Sequence, residues 1–216
     1  MAEIYTTTYK SKTVLLLFDD AGKLVVPNNA VRKSVTGNAF GVGQSWQKQE
    51  YNKFNLVEYQ IDLEYLVTSA SEKNALVSFF TGTAVGRLNA FWCPSYTNDF
   101  TVTQNASGTG VDIQDNFHSG LMSYADSGVK YRHLVFFRHD LSSTPAFAEL
   151  TNIYQASGSN HENLTLDTWT YYDIDSVVMN LFYCRLASDS LKVTFAGDGR
   201  YRINFSCKEL QRETPT

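Results

Sequence analysis

Cysteine, proline and charge are all scarce in this chain of 216 residues, and each shortage removes a class of protein. Three cysteines, Cys93, Cys184 and Cys207, are odd in number and widely spaced. That excludes a disulfide framework, and no Cys-x-x-Cys pair is present to hold zinc. The three read as buried reduced thiols used as small hydrophobes, the pattern of a reducing cytoplasm. Charged residues are 19% of the chain and the net charge is -4, against a protein that grips phosphates broadly and needs a basic surface. The longest apolar run, residues 14–18, falls far short of the roughly 20 residues of a membrane helix. The opening Met1-Ala2-Glu3-Ile4 lacks a basic and then apolar leader. Neither secretion nor membrane insertion is therefore expected.

Catalytic signatures are missing too. There is no Gly-x-Ser-x-Gly elbow, and the Gly37–Gly43 stretch lacks both the Walker lysine and the dinucleotide spacing, so it reads as a bulged loop. His161-Glu162 has no second histidine four residues on, and His133 and His139 only flank a strand-like run. Asp112 and Asp115 as paired acids for glycoside chemistry would need a cleft that spacing alone does not give. No enzyme activity, metal or cofactor is expected.

Aromatic residues are present in excess, at 14% of the chain. Period-two alternation accounts for much of it. Residues 57–67 are apolar at every odd position and polar at four of the five even ones, as a strand with one wet face requires. Residues 201–208 repeat the pattern and pair with 191–195 through the turn Ala196-Gly197-Asp198-Gly199. Further strands are expected at 13–18, 23–26, 87–93, 99–104, 110–114, 129–138, 147–155 and 177–187. Ser69-Ala70-Ser71-Glu72 is a capping box opening one helix, with Ala75, Leu76, Phe79 and Phe80 on its apolar face and Gly82 as C-cap. Residues 188–216 are too short to bury a core alone, so the chain reads as a split domain, 1–94 with 187–216, carrying an inserted β domain over 95–186.

The order of motifs in residues 56–100 resembles tail proteins of long, non-contractile-tailed bacteriophages, the group of distal tail proteins and baseplate hub ring components. The alternating strand is followed by a helix ending Leu76-Val77-Ser78-Phe79-Phe80, then Gly86-Arg87, Phe91-Trp92-Cys93-Pro94 and Asn98-Asp99-Phe100. Phe182-Tyr183-Cys184-Arg185-Leu186, Ser188-Asp189-Ser190-Leu191 and the closing hairpin to Lys208-Glu209-Leu210 extend the likeness to about a third of the chain. Position 93 is Cys where that pattern has an aliphatic residue, and 101–175 carry no matching motif.

The resemblance implies a mainly β fold: a β-sandwich ring domain with one flanking helix, and an inserted β-barrel-like domain, in one form OB-like. It implies a hexameric ring at the distal end of the virion tail, assembled from protein made in the host cytoplasm. The ring would join the tail tube protein to the baseplate hub and tail fibre proteins, with DNA only in transit through its pore. Glu58, Asp62 and Glu64, on the polar face of one strand, are candidates to line that pore, since acids do not hold phosphate. Phe91, Trp92, Tyr96, Trp169, Tyr171 and Tyr172 are candidates for subunit or partner contact. Competing readings are a tube or terminator component, a carbohydrate- or receptor-binding module in the insertion, and a glycan hydrolase.

Overall fold

A computed structural model describes residues 3–4, 7–35, 38–42, 48–52, 58–107, 109–115, 133–141, 145–155, 161–168 and 173–210. The described strands are β1 (Glu3–Ile4), β2 (Thr8–Tyr9), β3 (Lys12–Thr13), β4 (Leu17–Phe18), β5 (Asn29–Val35), β6 (Asn38–Val42), β7 (Lys48–Asn52) and β8 (Glu58–Val67). After helix α1 (Ala70–Ser78) come β9 (Phe91–Pro94), β10 (Phe100–Ser107), β11 (Gly110–Asp115), β12 (His133–Phe137) and β13 (Ala146–Gln155). The chain closes with β14 (His161–Leu166), β15 (Val177–Leu186), β16 (Lys192–Gly197) and β17 (Arg200–Glu209). The fold is mainly β with one α-helix, as the alternation predicts.

The predicted 57–67 strand and closing hairpin make one antiparallel sheet, β5–β8–β17–β16. Ile61, Leu63, Tyr65 and Val67 sit opposite Cys207, Phe205, Ile203 and Tyr201, so both strands turn their odd residues to one face. Against that face pack Leu76, Phe79 and Phe80 of the helical segment with Leu15, Leu17, Phe91, Tyr96 and Phe182. Each such side chain taken from water contributes roughly 1.5–3 kcal/mol. The three cysteines, scattered in sequence, all lie in this core with free thiols.

Between residues 100 and 186 the strands close on themselves. The order β10–β11–β14–β13–β12–β15 returns to β10 through Phe100↔Val178 and Thr101↔Val177, a six-stranded antiparallel barrel. An OB plan has five strands, so the barrel is not that form. Val102, Val111, Ile113, Leu134, Phe136, Leu150, Leu164 and Val178 fill its interior.

Strand β15 belongs to both halves. Its first residues pair with β10 and β12, while Leu181–Cys184 pair with β9 and Cys184–Leu186 with β17. A third core fills the junction: Val14, Leu16, Phe18, Leu24 and Trp92 meet Val135, Phe137, Met179 and Leu181. The apolar run 14–18 is thus explained. Its odd residues enter the sheet core and its even ones the junction, so it is buried on both sides.

The capping box forms as expected: the Ser69 hydroxyl accepts from the Glu72 amide at 3.1 Å, and the Glu72 carboxylate accepts from the Ser69 amide at 3.2 Å. The other end differs. Beyond α1 the helix runs on through one π-turn, Phe79–Thr83, in which the Ala84 amide donates to the Phe79 carbonyl at 2.9 Å. Gly82 lies inside that turn and is not the C-cap; the reversal comes at Val85 and Gly86, both with positive φ. The extra residue per turn keeps both Phe79 and Phe80 on the core side.

Other expectations need correction. Residues 38–42, read as part of a loop, form β6 paired with β7. Residues 87–90 are a turn, and 14–16 and 23–26 contribute only isolated bridges. Strands β5 and β14 were not expected: β5 carries Arg32 and Lys33, and β14 has only Leu164 and Leu166 as apolar pegs.

Candidate functional site

The sheet face opposite the core is wet, because the even residues of β17 and all but Leu66 of those in β8 are polar. Pairing lines them up in rows. Asn29, Glu64, Asn204 and Lys192 run across four strands, and Val31, Asp62 and Ser206 form the adjacent row. Ala187, Ser188 and Ser190 also contribute to the lining of the resulting open groove of about 540 Å³. Within it the Gln60 amide donates to Asp62 Oδ1 at 2.7 Å, and the Ser206 hydroxyl donates to the same oxygen. Glu64 meets Arg202 at 3.3 Å. The buried Oδ1 of Asn204 has no donor among the described residues. Chemically the groove offers carboxylates, amides, hydroxyls and the Lys192 ammonium.

Two of the three acids predicted for one polar face, Asp62 and Glu64, stand here together, both half-buried. Glu58 opens the same strand opposite Val35, and its side chain lies outside the described residues. Sequence reasoning missed Asn29, Gln60, Lys192, Asn204 and Ser206. The alternation of 201–208 marks Asn204 and Ser206 as polar-face residues, but only the register puts them beside Asp62 and Glu64.

The aromatic contact residues are corrected. Phe91 packs edge-on against Phe79 at 5.0 Å, Trp92 donates its indole N–H to the Tyr9 carbonyl at 2.8 Å, and the Tyr96 hydroxyl donates to the Leu15 carbonyl. All three are buried within the chain itself, so none presents a surface to a partner. Phe-Trp in a short strand signals a core peg here because both faces of β9 are covered. Trp169, Tyr171 and Tyr172 lie outside the described residues.

Several motif residues have structural work instead. Asp189 receives the Arg87 amide and its Nε, each at 2.8 Å, so the Gly86-Arg87 and Ser188-Asp189-Ser190 motifs, 102 positions apart, form one clamp. Gly86 has positive φ, and a Cβ there would also stand 2.6 Å from Asp189 Oδ1, so the position favours glycine. Arg87 holds the Asp189 carboxyl below its ordinary value. Asp99 accepts from Ser95, Thr97 and both the amide and side chain of Asn180, tying the β9–β10 link to the point where β15 leaves the barrel. Arg32 forms a paired bond to buried Glu209 at 2.6 and 3.2 Å and lies 3.7 Å above the Tyr59 ring.

Burial pushes the thiols of Cys93, Cys184 and Cys207 up, so none is poised as a nucleophile. Asp112 accepts from the Asn163 amide, and His133 bonds the Tyr9 hydroxyl at 3.0 Å. Among the described residues no three His, Cys, Asp or Glu side chains gather to hold a metal. No protein-family model and no curated protein matches the chain.

Proposed function

We propose that the chain is a structural ring protein of a phage tail, a distal tail protein joining tail tube to baseplate hub and fibres. The observation that carries this reading is a sheet with two unlike faces. One is sealed by the helix and core, and the other is a broad polar groove with Asp62 and Glu64 in it. Arranged around an axis with the sealed face outward, such sheets leave amides, hydroxyls, acids and Lys192 to line a pore. A lining that mixes the carboxylates of Asp62 and Glu64 with Lys192 and Arg202 is not a uniformly cationic surface, so it lets DNA slide through without holding its phosphates. The ring domain is then a sandwich of this sheet and a second layer made by α1 with residues 14–18.

The closed barrel supports the distal position, since it gives each subunit a second β unit for attachment of peripheral proteins. Its strands share β15 with the ring sheet, so force on the barrel reaches the ring through a continuous strand. Electron microscopy of the purified protein tests the reading. Six-fold rings with an open pore and Asp62 and Glu64 on the inner wall are expected. Dispersed monomers, or a ring carrying both acids outside, would overturn it.

A further inference from the structure

The polar groove holds an acceptor that the chain itself does not satisfy. Asn204 Oδ1 is buried in the groove lining with no donor among the described residues, and a buried carbonyl left unbonded is costly. Glu64 stands directly across from Asn204, and Asp62 faces Ser206 in the next row. Cross-strand neighbours lie about 5 Å apart and successive same-face residues about 7 Å, so these three acceptors mark out a patch of that size. On the other side of Asn204 comes Lys192 of β16, which is exposed and bonds no carboxylate among the described residues. The groove therefore has an acidic floor and one cationic wall, roughly 10 Å apart at two strand spacings.

Bonds already in place choose among the cations that could sit on that floor. Asp62 Oδ1 accepts from Gln60 and Ser206, and Glu64 meets Arg202, so each carboxylate is held in its own row. A calcium-sized ion needs six or more oxygens converging at about 2.4 Å and would have to draw both acids off these partners. Among the described residues no third metal-type side chain stands with them. A guanidinium makes no such demand, because its planar fork carries five N–H donors that reach separate acceptors. Glu64 already takes one guanidinium from within the chain.

We infer that the groove docks an extended segment of a partner protein, with an arginine over Asp62, Glu64 and Asn204 and an acidic side chain meeting Lys192. Charge complementarity carries the assignment: the arginine gives Asn204 its donor, and the acid pairs with Lys192. Spacing agrees with it. Same-side residues of an extended segment recur about every 7 Å, and the flexible Lys192 stem spans the remainder. The groove is open and about 540 Å³, room for a few side chains, and Ser188 and Ser190 add hydroxyls for the segment's backbone. The inference rests on the groove alone and does not need the ring.

Titration of the full, isotope-labelled chain with the capped pentapeptide acetyl-Ser-Arg-Ser-Asp-Ser-amide tests it. The NMR amide shifts of Asp62, Glu64, Asn204 and Lys192 should move, and those of Asp112 and Asn163 on the barrel should not. Citrulline in place of arginine keeps the shape and loses the charge, so it should weaken binding at least about tenfold, as should Glu64→Gln. Lys192→Glu should weaken the peptide, and replacing the peptide's Asp by Lys should restore it. Lys192 is exposed, so that swap leaves the fold intact even if Glu64→Gln does not. No movement at about 10 mM peptide, equal binding of the citrulline peptide or a failed charge swap overturns the inference. Calcium chloride alone moving the same four amides overturns the choice of occupant. Dispersed monomers that bind the peptide overturn the ring and leave the groove, and rings that do not bind it do the reverse.

Discussion

At the scale of single residues, the clamp between Arg87 and Asp189 decides how the turn after the helix is held. The guanidinium and the Arg87 amide both stabilise the ionised carboxylate, so its folded pKa lies below the unfolded value of about 3.9. A depressed acid contributes all its stability above the unfolded pKa and loses it as pH falls through the folded one. The Arg87 amide shift in an NMR titration should therefore follow a midpoint below the ordinary carboxylate value. A midpoint at or above the ordinary carboxylate value would show that the clamp does not form in solution. Both motifs were legible in the chain, but that they meet was not. Arg32 teaches the same lesson, since a basic residue facing a core is tolerable only when Glu209, 177 positions away, accepts from it.

At the scale of elements, the helix is the part most completely written in the sequence, because its start signal is local. Ser69 and Glu72 satisfy each other's amides within four residues, whatever the rest of the chain does. Ser69→Ala should lower stability by about 1 kcal/mol in urea denaturation. A change below a few tenths would mean that packing of Leu76, Phe79 and Phe80 alone holds the helix. Its end was misread for the opposite reason. Gly82 looks like a cap by type, yet the core demands both phenylalanines, and a π-turn meets that demand by running past the glycine. Strand β5 was hidden similarly, because its partner β8 supplies most of the apolar face, to which β5 adds Ala30.

At the scale of the molecule, the expected split into a ring domain and an insertion meets a strand and a core that both parts share. Strand β15 passes from the barrel into the sheet, and the junction core joins residues 14–24 to the outer side of β12. Unfolding should accordingly be one cooperative event, with calorimetric and van't Hoff enthalpies equal within error. Two separated transitions would show that the barrel melts as its own unit despite β15.

Local chemistry settled what could be settled locally. Alternation fixed which face of each long strand is dry, the capping box fixed the helix start, and a scatter of three cysteines fixed their role as buried thiols. Those are properties of neighbours in the chain. Closure of the barrel, the rows that place Asp62 and Glu64 with Asn29 and Asn204, and the burial of Trp92 and Tyr96 depend on register between distant strands. Period two tells a strand which way to face but leaves open which partner it takes, and only tertiary packing makes that choice.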